Sequence, residues 1–298
     1  MNVLGISAKL QGGKSSSAKF LIGLALVRLN IVRGSFKMTE SGDIHVTDIM
    51  GDVSYDGIFD PFRRNDSMIK FLQEYVDPFV KVYSFADKLK AICIDILGLD
   101  EEACYGTNEQ KNAPTNIKWE DFFGVLVPEQ CGFLFNETSN GFNEVDEIIP
   151  QISDTDFQKG NWSGSLYWNG IAIHKSGYMT GREVMEFLGT MVFRNIKEDC
   201  WISSVIKQIK KDQPMLAVIQ DVRSLNECFS IKEIGGKTLR LGRNPYPNPD
   251  SVIENQLDSY PDFDALVDNS QMTLDEKNEK VIEILSTWEY IDSMEFNS

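Results

Sequence analysis

Lys14 and Ser15 follow a pair of glycines, Gly12 and Gly13, in the stretch NVLGISAKLQGGKSSSAKFL from Asn2 to Leu21. A long cation beside a small hydroxyl on a glycine turn suits phosphate. The glycines leave backbone N–H groups bare enough to wrap an oxyanion. Lys14 can reach phosphate oxygens, and Ser15 can bind a magnesium ion. The spacing approaches the Walker A pattern Gly-x4-Gly-Lys-Ser/Thr, with Ala8 at the leading glycine position and Lys9 to Gly12 as the spacer. Such a loop needs a strand before it and, after it, a helix whose N-terminal dipole favours an anion. Both are legible: Val3 to Ser7 is a strand-like apolar run, and Ala18, Leu21, Ile22 and Leu24 have helical spacing. The alternative is an ordinary surface turn.

Asp221 closes the apolar run MLAVIQD, Met215 to Asp221. Ligands of parallel α/β sheets bind beyond the carboxyl ends of the strands, so an acid there could bind magnesium or orient an arginine. It could equally cap a helix beginning near Ser224. Two residues on, Arg223 could fork onto phosphate oxygens or form a weak surface ion pair with Glu227. In TGREVMEFLGTMVFR, Gly189 inside a helical pattern marks close approach of a ligand or another backbone. Arg182 and Arg194, near the two ends of that helix, could serve an anion or be solvated. Lys88 and Lys90 in FADKLK put positive charge at a helix start, which the dipole disfavours unless an anion sits there. The alternative is an exposed, screened pair.

Composition narrows the chemistry. The chain has 298 residues, 42% of them hydrophobic, enough for a substantial core in one large domain or two. With only His45 and His174, a zinc site or a Ser-His-Asp hydrolase is disfavoured; phosphoryl transfer needs neither. A net charge of −16, from 45 acidic and 29 basic side chains, opposes DNA and anionic membranes. Cys93, Cys104, Cys131, Cys200 and Cys228 contain no C-x-x-C pair, which fits a reduced interior with buried thiols. The chain goes straight into a strand, without a signal-peptide pattern or an apolar run of membrane length, so a cytoplasmic protein is expected.

Strand and helix patterns alternate at both ends, which predicts an α/β core. Val3 to about Asn30 is a first βα unit. Ser41 to Ile49 reads as a strand or hairpin, and Val80 to Phe85 as a strand before a helix that Asp87 can cap. From Tyr105 to about Tyr178 the pattern blurs, around an acidic, loop-rich stretch over 132–160. GSLYWNGIAIHKSG then reads as a hairpin turning at Asn169-Gly170. Val184, Leu188, Met191 and Val192 have helical spacing; Asp199 can cap the next helix, with Trp201, Val205 and Ile209 on one face. Met215 to Asp221, KTLRLGR and DFDALVDN read as strands, and Leu274 to Leu285 as a last helix.

In this order, GGKSSSA, SFADKLK, GREVMEFLGTMVFRNIKEDCW, IQDVRSLNECFSIKEIGGKTLRLGR and FDALVDN resemble the bacteriophage deoxynucleoside monophosphate kinases. The resemblance implies a P-loop NMP-kinase-like fold, a parallel sheet flanked by helices. It implies a single domain over 1–298, with insertions expected at about 31–78 and 105–178 as lid and NMP-binding elements. It implies transfer of the γ-phosphate of ATP to a deoxynucleoside monophosphate (dNMP), with Mg2+. ATP would be held by Gly12, Gly13, Lys14, Ser15, Ser16 and Arg243. The monophosphate would be held by Lys88, Lys90, Arg182, Thr190, Arg194 and Trp201, the last stacking on a base unless it is a core tryptophan. Ser15 and Asp221 would bind the metal; Lys14, Arg182, Arg194 and Arg223 would act on the transferring group. Ala8 departs from the family pattern. SVIENQLD lacks the histidine that family members often carry before an acid, and takes no role. The expected partners are ATP and a dNMP, with no DNA and no membrane, in the host-cell cytoplasm, with a homodimer as one assembly. Two other readings stay open: a P-loop kinase acting on a modified base within DNA, and a nucleotide-binding protein without catalysis.

Overall fold

The computed structural model describes residues 1–33, 35–50, 52–121, 125–126, 166–168, 171–173, 177–246 and 255–291. In chain order the first half contains β1 (Asn2–Ser7), α1 (Lys14–Arg28), β2 (Lys37–Met38), β3 (Ile44–Ile49), β4 (Asp52–Phe59), α2 (Asp66–Phe71), β5 (Val80–Tyr83), α3 (Asp87–Asp95), α4 (Glu101–Tyr105), α5 (Asn108–Lys111) and β6 (Pro114–Lys118). There follow β7 (Val125–Leu126), β8 (Leu166–Trp168), β9 (Ile171–Ile173), β10 (Tyr178–Thr180), α6 (Gly181–Glu186), α7 (Arg194–Ile196), α8 (Cys200–Asp212), β11 (Leu216–Val222), α9 (Leu225–Glu233), β12 (Lys237–Leu241), β13 (Ala265–Val267) and α10 (Leu274–Thr287). The chain divides into two compact units, Met1–Lys88 with Asp199–Ser298, and Leu89–Glu198.

The first unit is built on a five-stranded sheet in the order β13-β12-β1-β11-β5, with every pairing parallel. Leu4 and Ile6 of β1, and Leu216 to Ile219 of β11, are wholly buried. Such continuous apolar runs are what strands covered on both faces require. This is the α/β architecture that the alternating patterns predict. A small antiparallel sheet, β2-β3-β4, adds Ile44, Val46 and Phe59 to the same core as Leu4, Leu21 and Leu26. The stretch 31–78 therefore helps to build the core of this unit.

The second unit has its own core, in which Cys93, Cys104, Trp119, Met179, Val184 and Leu188 are buried together. Thr180 caps α6 and forms a capping box with Glu183. The spacing of Val184 to Val192 predicts a single α-helix; instead the chain widens into a π-helix over Phe187–Phe193. A Cβ built on Gly189 would lie 2.8 Å from Leu89 Cδ2. The atoms nearest to that position are therefore those of the Leu89 side chain. β8 and β9 pair antiparallel as the expected hairpin; Asn169, Gly170, His174, Cys131 and the acidic stretch 132–160 lie outside the described residues.

Cys93, Cys104, Cys200 and Cys228 are free thiols. Among the described residues no helix is long and apolar enough to cross a membrane.

Candidate functional site

Ser7 ends β1, and α1 starts at Lys14 with Gly13 as its N-cap, at the left-handed φ of 104°. That conformation strains any residue with a Cβ. Gly12 is needed for a different reason. A Cβ there would lie 2.8 Å from Ala8 Cβ, 2.8 Å from the Arg243 carbonyl oxygen and 3.0 Å from that of Lys9. Ala8, at the usual leading glycine, is thus accommodated because Gly12 leaves room for its methyl. Lys14 Nζ donates to the carbonyl of Ala8 and, at 2.9 Å, to that of Lys9, so the ammonium is held on the loop itself. Ser15 is exposed in the first turn of α1, and Ser16 Oγ donates to the Gly13 carbonyl at 3.0 Å.

Around this loop stand residues that the sequence did not single out. Buried Lys9 donates to Asn255 Oδ1 and Asp258 Oδ2, both at 2.6 Å. Buried Arg240 donates at 2.8 Å to Ser7 Oγ and at 2.8 Å to Asp258 Oδ1, so one carboxylate joins the loop to β12. Asn269 donates to the Gly12 carbonyl at 3.1 Å and accepts the Arg243 N–H at 2.9 Å. Arg243 thus meets the loop through its main chain, with its side chain exposed. From α10, Lys277 donates to Ser17 Oγ at 2.9 Å and Ser16 Oγ at 3.2 Å. It is 2% exposed, and burial pushes its ammonium down to about 8.

Asp221 lies at the same end of the sheet, because β1 and β11 run parallel and Ser7 pairs with Val222. Its Oδ2 accepts the Ser84 hydroxyl at 2.6 Å and its Oδ1 the Phe85 N–H at 3.0 Å, which fixes the turn after β5. The helix-cap alternative fails: Ser224 caps α9, in a capping box with Glu227. Glu227 Oε2 accepts the main-chain N–H of Arg223 at 2.6 Å and of Ser224 at 2.9 Å, and the Arg223 side chain is exposed. Each Asp221 oxygen that accepts one hydrogen bond keeps a further lone pair. A carboxylate and a serine hydroxyl are hard oxygen donors, the class that magnesium takes.

Lys88 is exposed in the first turn of α3, and Trp201 lies with Val205 and Ile209 on the buried face of α8. These belong to the first unit, as do Gly12 to Ser16, Asp221, Arg223 and Arg243. Lys90, Arg182, Thr190 and Arg194 belong to the second. There Arg182 is fixed by two side-chain amides, Nε to Asn112 Oδ1 and one terminal nitrogen to Asn108 Oδ1, both at 3.1 Å. Lys90 Nζ lies 4.2 Å from the centroid of the Tyr105 ring. Thr190 and Arg194 are exposed.

No family model matches the chain. Over 200 residues it is 26% identical to a protein of Acanthamoeba polyphaga mimivirus named "Putative deoxynucleotide monophosphate kinase"; the match covers 67% of this chain and 79% of that protein. The chain thus has a distant relative that carries a kinase name.

Proposed function

We propose that this protein is an ATP-dependent phosphotransferase that moves the γ-phosphate to a deoxynucleoside 5′-monophosphate, in the manner of the bacteriophage enzymes it resembles. One observation carries the reading: a strand–loop–helix unit in which Gly12 and Gly13 shape the loop, with Lys14 held on it and Asp221 at the same sheet end. The name of the mimivirus relative supports the substrate class.

The chemistry asks little of the protein beyond positioning and charge. The acceptor phosphate is already an anionic nucleophile at neutral pH, so no general base is required. The obstacle is bringing two polyanions into line, which fixed cations overcome. In this reading the N–H groups of the loop and the first turn of α1 hold the β- and γ-phosphates. Lys14 exchanges its carbonyl partners for phosphate oxygens, and Arg223, Arg182 and Arg194 supply the remaining positive charge. Ser15 and Asp221 would hold Mg2+, whose charge neutralises the transferring phosphoryl group. Asp221 also keeps the turn at Ser84 and Phe85 in place, which positions the start of α3.

The test is turnover of labelled ATP with each of the four dNMPs, with UMP, and with an oligonucleotide carrying a modified base. Label on free dNMPs is the expected result. Label on the intact oligonucleotide alone would replace this reading with a DNA-modifying kinase. Nucleotide binding without transfer to any acceptor would leave a non-catalytic binding protein.

A further inference from the structure

The inward face of α10 opens on a lysine. Lys277 is buried, and one and two turns further along the same face carries Val281 and Leu285 in the hydrophobic core. The Lys277 stem packs behind the loop between β1 and α1: its Cδ would lie 3.7 Å from a Cβ built on Gly13. Its ammonium ends in the first turn of α1, where it donates to Ser16 Oγ and Ser17 Oγ. Ser16 passes the contact on, because its hydroxyl donates to the Gly13 carbonyl at 3.0 Å. Asn269 holds the Gly12 carbonyl from the other side, at 3.1 Å. A trans peptide unit is planar, with its C=O and N–H pointing in opposite directions. Fixing the carbonyls of Gly12 and Gly13 therefore fixes where the N–H groups of Gly13 and Lys14 point.

Among the described residues nothing cancels the Lys277 charge. Its hydrogen-bond partners are two neutral hydroxyls, and burial alone pushes the ammonium down. The acids of its own first turn, Asp275 and Glu276, are exposed, and Glu276 is engaged by Thr273. On α1, Lys19 pairs with Asp43. The ammonium meets the positive end of the α1 dipole, and as the fourth residue of α10 it lies in that helix's first turn as well, so both dipoles disfavour it. An apolar residue at 277 would continue the core without this penalty. An anion at the start of α1 compensates the lysine and the helix end together. Resting on the ATP reading of this loop given above, we propose that Lys277 is a positioning residue of the nucleoside triphosphate site: through Ser16 it holds the Gly13 peptide, and its charge draws the polyphosphate to the N-terminus of α1.

Calorimetric titration of the whole protein with Mg2+ and β,γ-methylene ATP, with inorganic triphosphate and with adenosine tests this at pH 7, beside steady-state kinetics with ATP and the dNMP varied in turn. Lys277→Met should weaken binding of both triphosphates about 10-fold or more, the usual loss of a charged interaction, and leave adenosine binding unchanged. It should raise KM for ATP and not for the dNMP. Lys277→Gln, which can still donate to the serine hydroxyls but carries no charge, should lose triphosphate affinity too. Ser16→Ala should cost less affinity in Lys277→Met than in wild type, because the two act in one chain; fully additive losses would overturn the relay. Both Lys277 variants remove a buried charge and should melt no lower than wild type; loss of the fold in both would overturn the inference as the mark of a purely structural lysine. Unchanged triphosphate affinity in Lys277→Met would overturn this inference alone, even if transfer proceeds. Wild type that binds neither triphosphate would overturn it together with the ATP reading. Lys277-dependent triphosphate binding without any transfer would uphold it and remove the kinase reading.

Discussion

The ammonium of Lys277 lies 2.9 Å from the hydroxyl of Ser17, with both residues almost wholly out of solvent. Hydroxyls solvate a buried ammonium less well than water does, so its titration falls from 10.5 to about 8. Between these values the unfolded chain holds a proton that the folded chain does not, so stability rises with pH across that window. Below pH 8 the destabilisation is fully present, on the order of 3 kcal/mol from this group. Lys277→Met removes the pH-dependent part. In urea denaturation, wild type should gain on the methionine variant between pH 8 and pH 10. A difference that does not change with pH would return Lys277 to an ordinary titration.

Lys14→Ala should lower transfer by about 10³-fold or more, in line with other phosphate-clamping charges. The fold should persist, because the side chain is half-exposed and donates to carbonyls of its own loop. Single-turnover rates and melting curves on the same preparation would check both halves.

Asp221→Asn separates a metal role from a structural one. An amide can still accept from the Phe85 N–H and donate to Ser84 Oγ, so the turn after β5 should hold and the melting temperature should stay near that of wild type. Magnesium-dependent activity should fall sharply, and titrating Mg2+ should show a raised requirement. Asp221→Ala should in addition destabilise by about 1–3 kcal/mol by leaving two buried donors without acceptors.

Arg223→Ala and Arg194→Ala should damage activity with little loss of stability, because both side chains are exposed. Surface changes of this kind usually stay within about 0.5 kcal/mol. Wild-type kinetics in both variants would return these arginines to a solvated surface role.

Gly12→Ala should cost about 1–3 kcal/mol through overpacking and weaken ATP binding. Ala8→Gly in the same chain should recover part of that loss, but not the clash with the Arg243 carbonyl. A double-mutant cycle in thermal unfolding reads the coupling.

The parallel core was legible because its strands are continuous apolar runs and its helices follow at short spacing. Val3 to Ser7 and Met215 to Asp221 announced β1 and β11 by composition alone. The loop between β1 and α1 was legible because its glycines, lysine and serine are contiguous. What surrounds it was not: Asn269 and Lys277 reach the loop from elements more than 250 residues away in sequence, and Asp258 joins Lys9 to Arg240 across the fold. Nothing in local spacing distinguishes these from solvated polar residues. Lys277 sits in a helix rich in charge, where only the packing of α10 shows that it faces inward.

The central position of β1 has a consequence for how the chain reaches this fold. Its partners, β11 and β12, begin at Leu216 and Lys237, so this strand is completed by strands made much later. At about 5–20 residues per second of synthesis, the apolar run at Val3 to Ile6 waits on the order of ten seconds or more for its neighbours. The Leu89–Glu198 unit, contiguous in the chain, emerges whole in that interval. Pairings this distant make nucleation slow, and a nascent edge of this composition is a natural client for a chaperone.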